Sequence, residues 1–275
     1  GRPDGSDRLT AATIEVSTDG KAFDQPRPLA DGQTLGNSSK SRLKAVRLRP
    51  AADLKHPLVL REVTIKSSPQ VAVFQYPVEF VVDVADAPEM KEWADKTARI
   101  CERAYPMINH ELKSDGFKPA SLIKMSLKNS YRGVAAAGGG HITGSVKYFK
   151  DHPADVGAMV HETVHIVQRY HGRGNPSWLV EGVADYVRFF KFEPGNLGPI
   201  NPERAHYNQS YRVTAAFLAY LAEKYDPKIV LKLNQIMREG TYKPDVFERL
   251  TGKKVEDLDS EWRGTLKKPE RAARK

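Results

Sequence analysis

A chain of 275 residues with 40% hydrophobic content can bury one large domain, or a medium domain and a smaller companion. Its single cysteine, Cys101, excludes an intramolecular disulfide scaffold, and no apolar run reaches the roughly eighteen residues that a membrane span needs. The net charge of +9 is scattered among Asp and Glu, with one dense run at Lys267, Lys268, Arg271, Arg274 and Lys275, a pattern that argues against a dedicated nucleic-acid site.

The chain opens with GRPDGSDRLT, without a methionine and without the charged and apolar regions of a signal peptide, as expected of a processed or truncated chain. Its first seventy residues read as strands: TIEVSTDG at 13 to 20, AVRLRP at 45 to 50 and LVLREVTIKSS at 58 to 68. Asp19 followed by Gly20 is a hairpin signal. In the segments EVSTDGKAF, AVRLRP and LREVTI this stretch resembles the C-terminal half of a discoidin-type β-sandwich, which implies a small or partial sandwich.

Beyond residue 70 the pattern changes. Val78, Phe80, Val82 and Val84 alternate with Glu79 and Asp83 as a half-buried strand, and residues 88 to 112 carry a helical stripe of Met90, Trp93, Thr97, Ile100 and Ala104. Cys101 falls on that stripe and reads as a buried structural thiol. Ile123, Met125 and Leu127 mark a second strand, and AAAGGGHITGSVKYF, 135 to 149, reads as one glycine-interrupted strand. Helices are expected at 153–170, 177–190, 209–225 and 227–238, with two short ones near 243–265. A sheet followed by helices is an α+β arrangement.

The segment HETVH, 161–165, lies within the apolar-periodic run PADVGAMVHETVHIVQRY. One helical turn separates His161 from His165, so both imidazoles can reach a common ion, while Glu162 lies about 100° round the helix, beside rather than in its coordination sphere. Two histidines do not complete a tetrahedral site, and two candidates compete for the third place. Glu181 stands in PSWLVEGVADYV, read as a helix that Ser177 can cap after the break at Gly172, Gly174 and Pro176. Asp185, four residues later on the same face, can accept a hydrogen bond from a ligand histidine. The competitor is His171, the third histidine of a metzincin pattern; that pattern needs a glycine where Gln168 stands, and Gln168 is a good helix former.

WLVEGVADY resembles the WLxEGxAxY segment of gluzincin peptidases. Together with GGGHITGSVKYF, VHETVHIVQRYHGRG, YRVTAAFLAYL and FERLTGKKVEDL it is similar to the basic secretory protein family, peptidases of plants and bacteria, over about residues 75 to 265. The resemblance implies a secreted or periplasmic zinc peptidase with a peptide or protein substrate. It organises the chain as a β-rich region, 1–70, a zincin-like peptidase domain, 71–266, and a basic tail, 267–275, expected to be solvated and disordered.

Zinc with an open fourth position lowers the pKa of water from about 16 to about 7, and Glu162 can then act as general base. For a donor to the developing oxyanion the first candidate is Tyr211, with a purely structural role as the other reading of that residue and with Tyr207, His206 and His171 as alternatives. Gly138, Gly139 and Gly140 are candidates for holding an extended substrate at a strand edge, with a simple glycine bulge as the other reading. GVAAAGGGHITGS contains no acid to pair with a free substrate amine, which favours an endopeptidase. A second class stays open: a silent peptidase-fold module whose basic surface and front end hold glycans or cell-surface polymers.

Overall fold

The computed structural model describes residues 11–19, 21–29, 43, 45–52, 76–170 and 174–266. Its contacts divide the chain into two units, Gly1–Arg61 and Glu62–Lys275. The strand expected at 58–68, His171 and the basic tail lie outside the described residues.

In the first unit β1 (Ala12–Ser17) is flanked antiparallel by β2 (Arg27–Leu29) and β3 (Ala45–Pro50), giving the order β2-β1-β3. The Asp19 carboxylate accepts from the Lys21 and Ala22 amides at 2.7 and 2.9 Å, so the chain turns on an aspartate cap within a longer loop between β1 and β2. Glu15 is buried on β1 and satisfied by Arg47 of its cross-strand partner.

The second unit is mixed α and β, as the sequence pattern implies. Its sheet has the order β4-β5-β7-β6, with β4 (Glu79–Asp83), β5 (Leu122–Lys128) and β7 (His141–Ser145) parallel and β6 (Ala135–Gly138) antiparallel at one edge. Helix α1 (Lys91–Glu111) follows a 3-10 turn at Pro88–Met90 and spans the β4–β5 connection. Its buried residues Ala94, Ala98, Cys101, Tyr105 and Ile108 recur every three or four positions, and the helix packs on β4 and on the later helix α3. Trp93 and Ile100 sit at the margin of that stripe, half-buried. Cys101 is fully buried, and burial pushes its thiol up to about 12, which leaves it inert at neutral pH.

One expected strand resolves differently. Residues 135 to 149 form the β6–β7 hairpin and then a short helix, α2 (Val146–Asp151). Gly139 and Gly140 both have positive φ, 57° and 78°, and form the two-residue turn between paired residues Gly138 and His141. These glycines therefore reverse the chain. The Ser145 hydroxyl accepts from the Tyr148 amide at 3.2 Å and starts α2, which ends the strand.

The remainder is helical: α3 (Gly157–Gln168), α4 (Ser177–Val187), α5 (Tyr211–Lys224), α6 (Ile229–Arg238), α7 (Val246–Thr251) and α8 (Val255–Thr265). A π turn, Arg188–Phe192, extends α4. Helix α3 is shorter than expected at both ends. It stops at Gln168 because Arg169 takes the left-handed conformation, φ 43°, and because Arg238 of α6 donates to the carbonyls of Val167 at 2.8 Å and Gln168 at 3.2 Å. Ser177 does not cap α4; Pro176 occupies that place and no side chain bonds there. No described helix is long and apolar enough to cross a membrane.

Candidate metal centre

Helices α3 and α4 pack against each other, and α4 packs closely on α5. That second contact depends on Gly182, where a Cβ would lie 2.1 Å from the Thr214 methyl, so any other residue would push α5 outward. The neighbour of Glu181 thus sets how close α5, with Tyr211 at its start, comes to the ligand helix.

Three side-chain atoms converge between α3 and α4. His161 Nε2 and His165 Nε2 are 3.0 Å apart, and Glu181 Oε2 lies 3.1 Å from the first and 3.2 Å from the second. These three residues form a group whose donors could hold a metal ion. In a tetrahedral site with bonds of about 2.0–2.1 Å, donors stand about 3.3 Å apart, so the observed triangle matches one face of such a site.

The hydrogen bonds behind the triangle fix the imidazole tautomers. Asp185 Oδ1 can only accept, so His161 Nδ1 donates to it, at 2.6 Å. Gln168 Nε2 donates to the Val180 carbonyl at 2.8 Å, which turns its Oε1 toward His165 Nδ1 at 2.7 Å. Both Nε2 atoms are then left with lone pairs directed at each other and at a carboxylate. Three acceptors this close repel unless a cation, a proton or a metal, stands among them.

Without a metal that cation is a proton. Burial disfavours the His161 imidazolium, yet the hydrogen bonds to Asp185 and Glu181 outweigh it and raise His161 to about 9. Burial likewise opposes ionisation of Glu181, but the two histidines lower it to about 2. The group is thus built to keep a positive charge at its centre.

Glu162 is buried beside the triangle, at 8% exposure. Burial raises its carboxyl above the ordinary range, against the pull of His161 and His165. Among the described residues its carboxylate takes no hydrogen bond, so it remains open to a small polar molecule. Tyr211 reaches the site from the other side: its ring lies 6.1 Å from the His161 ring at 26°, and the residue is 54% exposed. Ser210 and Tyr211 have φ of 65° and 47°, conformations that cost non-glycine residues about 1–3 kcal/mol each and recur at functional sites. The negative charge of Glu181, with a smaller effect of burial, raises the phenol and keeps it a hydrogen-bond donor.

Of the alternatives to Tyr211, exposed His206 pairs with Asp259 at 3.1 Å and Tyr207 stands edge-on to Trp178 at 5.1 Å. Gly138, at the end of edge strand β6, and the turn glycines meet nothing within 4 Å of where a Cβ would be, and β6 runs beside α3. Two residues escaped the sequence reading. Gln168 orients His165 and was legible in its position three residues beyond that histidine on the same helix. Arg238 binds the end of α3 from seventy residues away and has no local signal.

The family model described as BSP, peptidase of plants and bacteria, matches residues 76–262 of this chain. No curated protein matches the sequence, and no solved structure does.

Proposed function

The chain belongs to the BSP family, peptidases of plants and bacteria, and we propose that it is a zinc-dependent endopeptidase whose ion is held by His161, His165 and Glu181. The observation that carries this reading is the 3.0–3.2 Å triangle of two imidazole nitrogens and one carboxylate oxygen, with the buried carboxyl of Glu162 beside it. Two imidazoles and one carboxylate are the donor set of a catalytic zinc site that keeps one position open. On this reading the catalytic unit is residues 71–266.

When bound, the ion supplies Lewis acidity, making water a nucleophile near neutral pH and polarising the scissile carbonyl. Glu162 takes the proton from the attacking water and passes it to the leaving amine; its raised pKa brings it nearer to the pH at which it must both accept and release that proton. Tyr211 donates to the oxyanion that develops on the carbonyl, and its strained start to α5 aims the phenol across His161. Asp185 and Gln168 position the imidazoles and hold the tautomers that leave Nε2 unprotonated. The backbone of edge strand β6, ending at Gly138, supports an extended substrate segment, while Gly139 and Gly140 keep the turn beyond it free of side chains. Endopeptidase action is favoured because the stretch from Gly133 to Ser145 contains no carboxylate to fix a free substrate amine.

The test is metal analysis with hydrolysis of a denatured protein substrate. About one zinc per chain, activity lost on chelation and restored by zinc, and internal cuts are expected. Release of single N-terminal residues without internal cuts would overturn the endopeptidase assignment, and full activity in a chelated, metal-free sample would overturn the metal assignment.

A further inference from the structure

A concave site lies next to these elements along the chain. It is a cavity of about 310 Å³ walled by Trp178, Tyr207, Tyr242 and Phe247. Trp178 is edge-on to Tyr207 at 5.1 Å and stacked with Phe247 at 6.0 Å, so the wall is a packed aromatic surface. Asp245, Glu248 and Glu256 face the same cavity, against one ammonium, Lys254. In a chain of net charge +9 this is a local inversion of sign.

The carboxylates differ in availability. Asp245 is paired with Arg249 at 3.3 Å. Among the described residues Glu248 and Glu256 have no ion-pair partner. Burial, followed by the charges of Glu256 and Asp259, raises the Tyr207 phenol, so the Glu256 charge reaches the aromatic wall. Aromatic faces with unpaired carboxylates suit a cation carried on an apolar stem. The volume admits one long side chain.

The cavity also has a fixed relation to the proposed catalytic machinery. Trp178 precedes Glu181 by three residues on α4, a rise of about 4.5 Å, and Tyr207 precedes Tyr211 by four residues. From the aromatic wall, the unpaired carboxylates and this adjacency, we propose that the cavity is a specificity subsite that receives an arginine or lysine side chain of the peptide substrate. The proposal rests on the peptidase reading for the word substrate, and on the cavity alone for the cation.

Two measurements separate these. Binding is read by fluorescence anisotropy with a labelled Ala-Ala-Arg-Ala-Ala peptide and its citrulline counterpart, which keeps shape and loses charge. The wild type should bind the arginine peptide about tenfold more tightly, a cation-binding effect of ordinary size. The preference should shrink in Glu248→Gln/Glu256→Gln, two exposed positions whose change leaves the core intact. Cleavage-site profiling of a peptide library should enrich Arg and Lys at one fixed distance from the cut.

Equal binding of the two peptides would overturn the subsite. So would tighter binding of a neutral chitohexaose probe with no arginine preference, which would make the aromatic wall a sugar platform. Cleavage without a basic preference at any position would overturn the subsite and leave the peptidase reading standing. Arginine-selective binding without cleavage would support the cation site and count against the peptidase reading.

Discussion

One helix, α4, serves two sites of opposite construction. At Glu181 it enters a largely buried group in which both imidazoles are held from behind, His161 by Asp185 and His165 by Gln168, and Gln168 is itself held by the Val180 carbonyl. At Trp178, one turn earlier, it enters an aromatic cavity whose carboxylates are exposed and, among the described residues, in two cases without an ion-pair partner. Buried charges must be satisfied within the protein, so the first site tolerates few changes. Exposed charges are satisfied by water until a ligand replaces it, so the second can be tuned residue by residue.

The largest expected effect is therefore at the triangle. His161→Ala, His165→Ala and Glu181→Ala should each lose most bound zinc and nearly all hydrolysis, read by metal analysis and peptide cleavage. Full zinc occupancy in Glu181→Ala, with loss in His171→Ala, would transfer the third ligand to His171. Next in size is the support layer: Asp185→Asn should weaken zinc affinity about 10- to 100-fold, measured by competition with a chromogenic chelator. An unchanged affinity would remove Asp185 from the site.

Tyr211→Phe keeps the ring against His161 and removes the donor. It should lower kcat about 100-fold with little change in KM, as expected when a transition-state donor is lost. A KM effect alone would make Tyr211 a binding residue. The smallest signal is a proton. Because metal-free His161 titrates at about 9, it holds a proton at pH 7.5 that zinc must displace. Calorimetry in two buffers of different ionisation enthalpy should show release of about one proton per zinc. The sign extends to stability: the metal-free protein gains from the His161 proton below about pH 6.5 and loses that gain as pH rises through about 9. The Glu181 contribution is present above about pH 4.5 and lost as pH falls through about 2.

The sequence carried the helical half well because its apolar periodicity is strong: α4 to α8 begin and end within a few residues of the expected positions. Spacing also placed His161, His165, Glu181 and Asp185 within reach of one another, with His171 left as a competitor for the third place, since i and i+4 positions on two facing helices leave few arrangements. The sequence failed where tertiary partners decide. Residues 146 to 149 have strand-like content, yet the Ser145 cap starts a helix there. Gln168 is a good helix former, and α3 ends at it because Arg238, distant in sequence, binds the last carbonyls. The positive φ at Ser210 and Tyr211 has no sequence signal either, as neither residue favours that conformation.

Glu162→Gln separates catalysis from metal binding in one residue, because it removes the base and keeps the size, polarity and metal ligands. Zinc content and cleavage of a broad peptide library should be measured on wild type and variant together. Both proteins should hold about one zinc per chain, the wild type should cleave, and the variant should lose about a hundredfold or more of that cleavage. Equal cleavage by the two proteins, or no cleavage by a zinc-loaded wild type, would contradict the assignment of Glu162 as the base of a zinc peptidase.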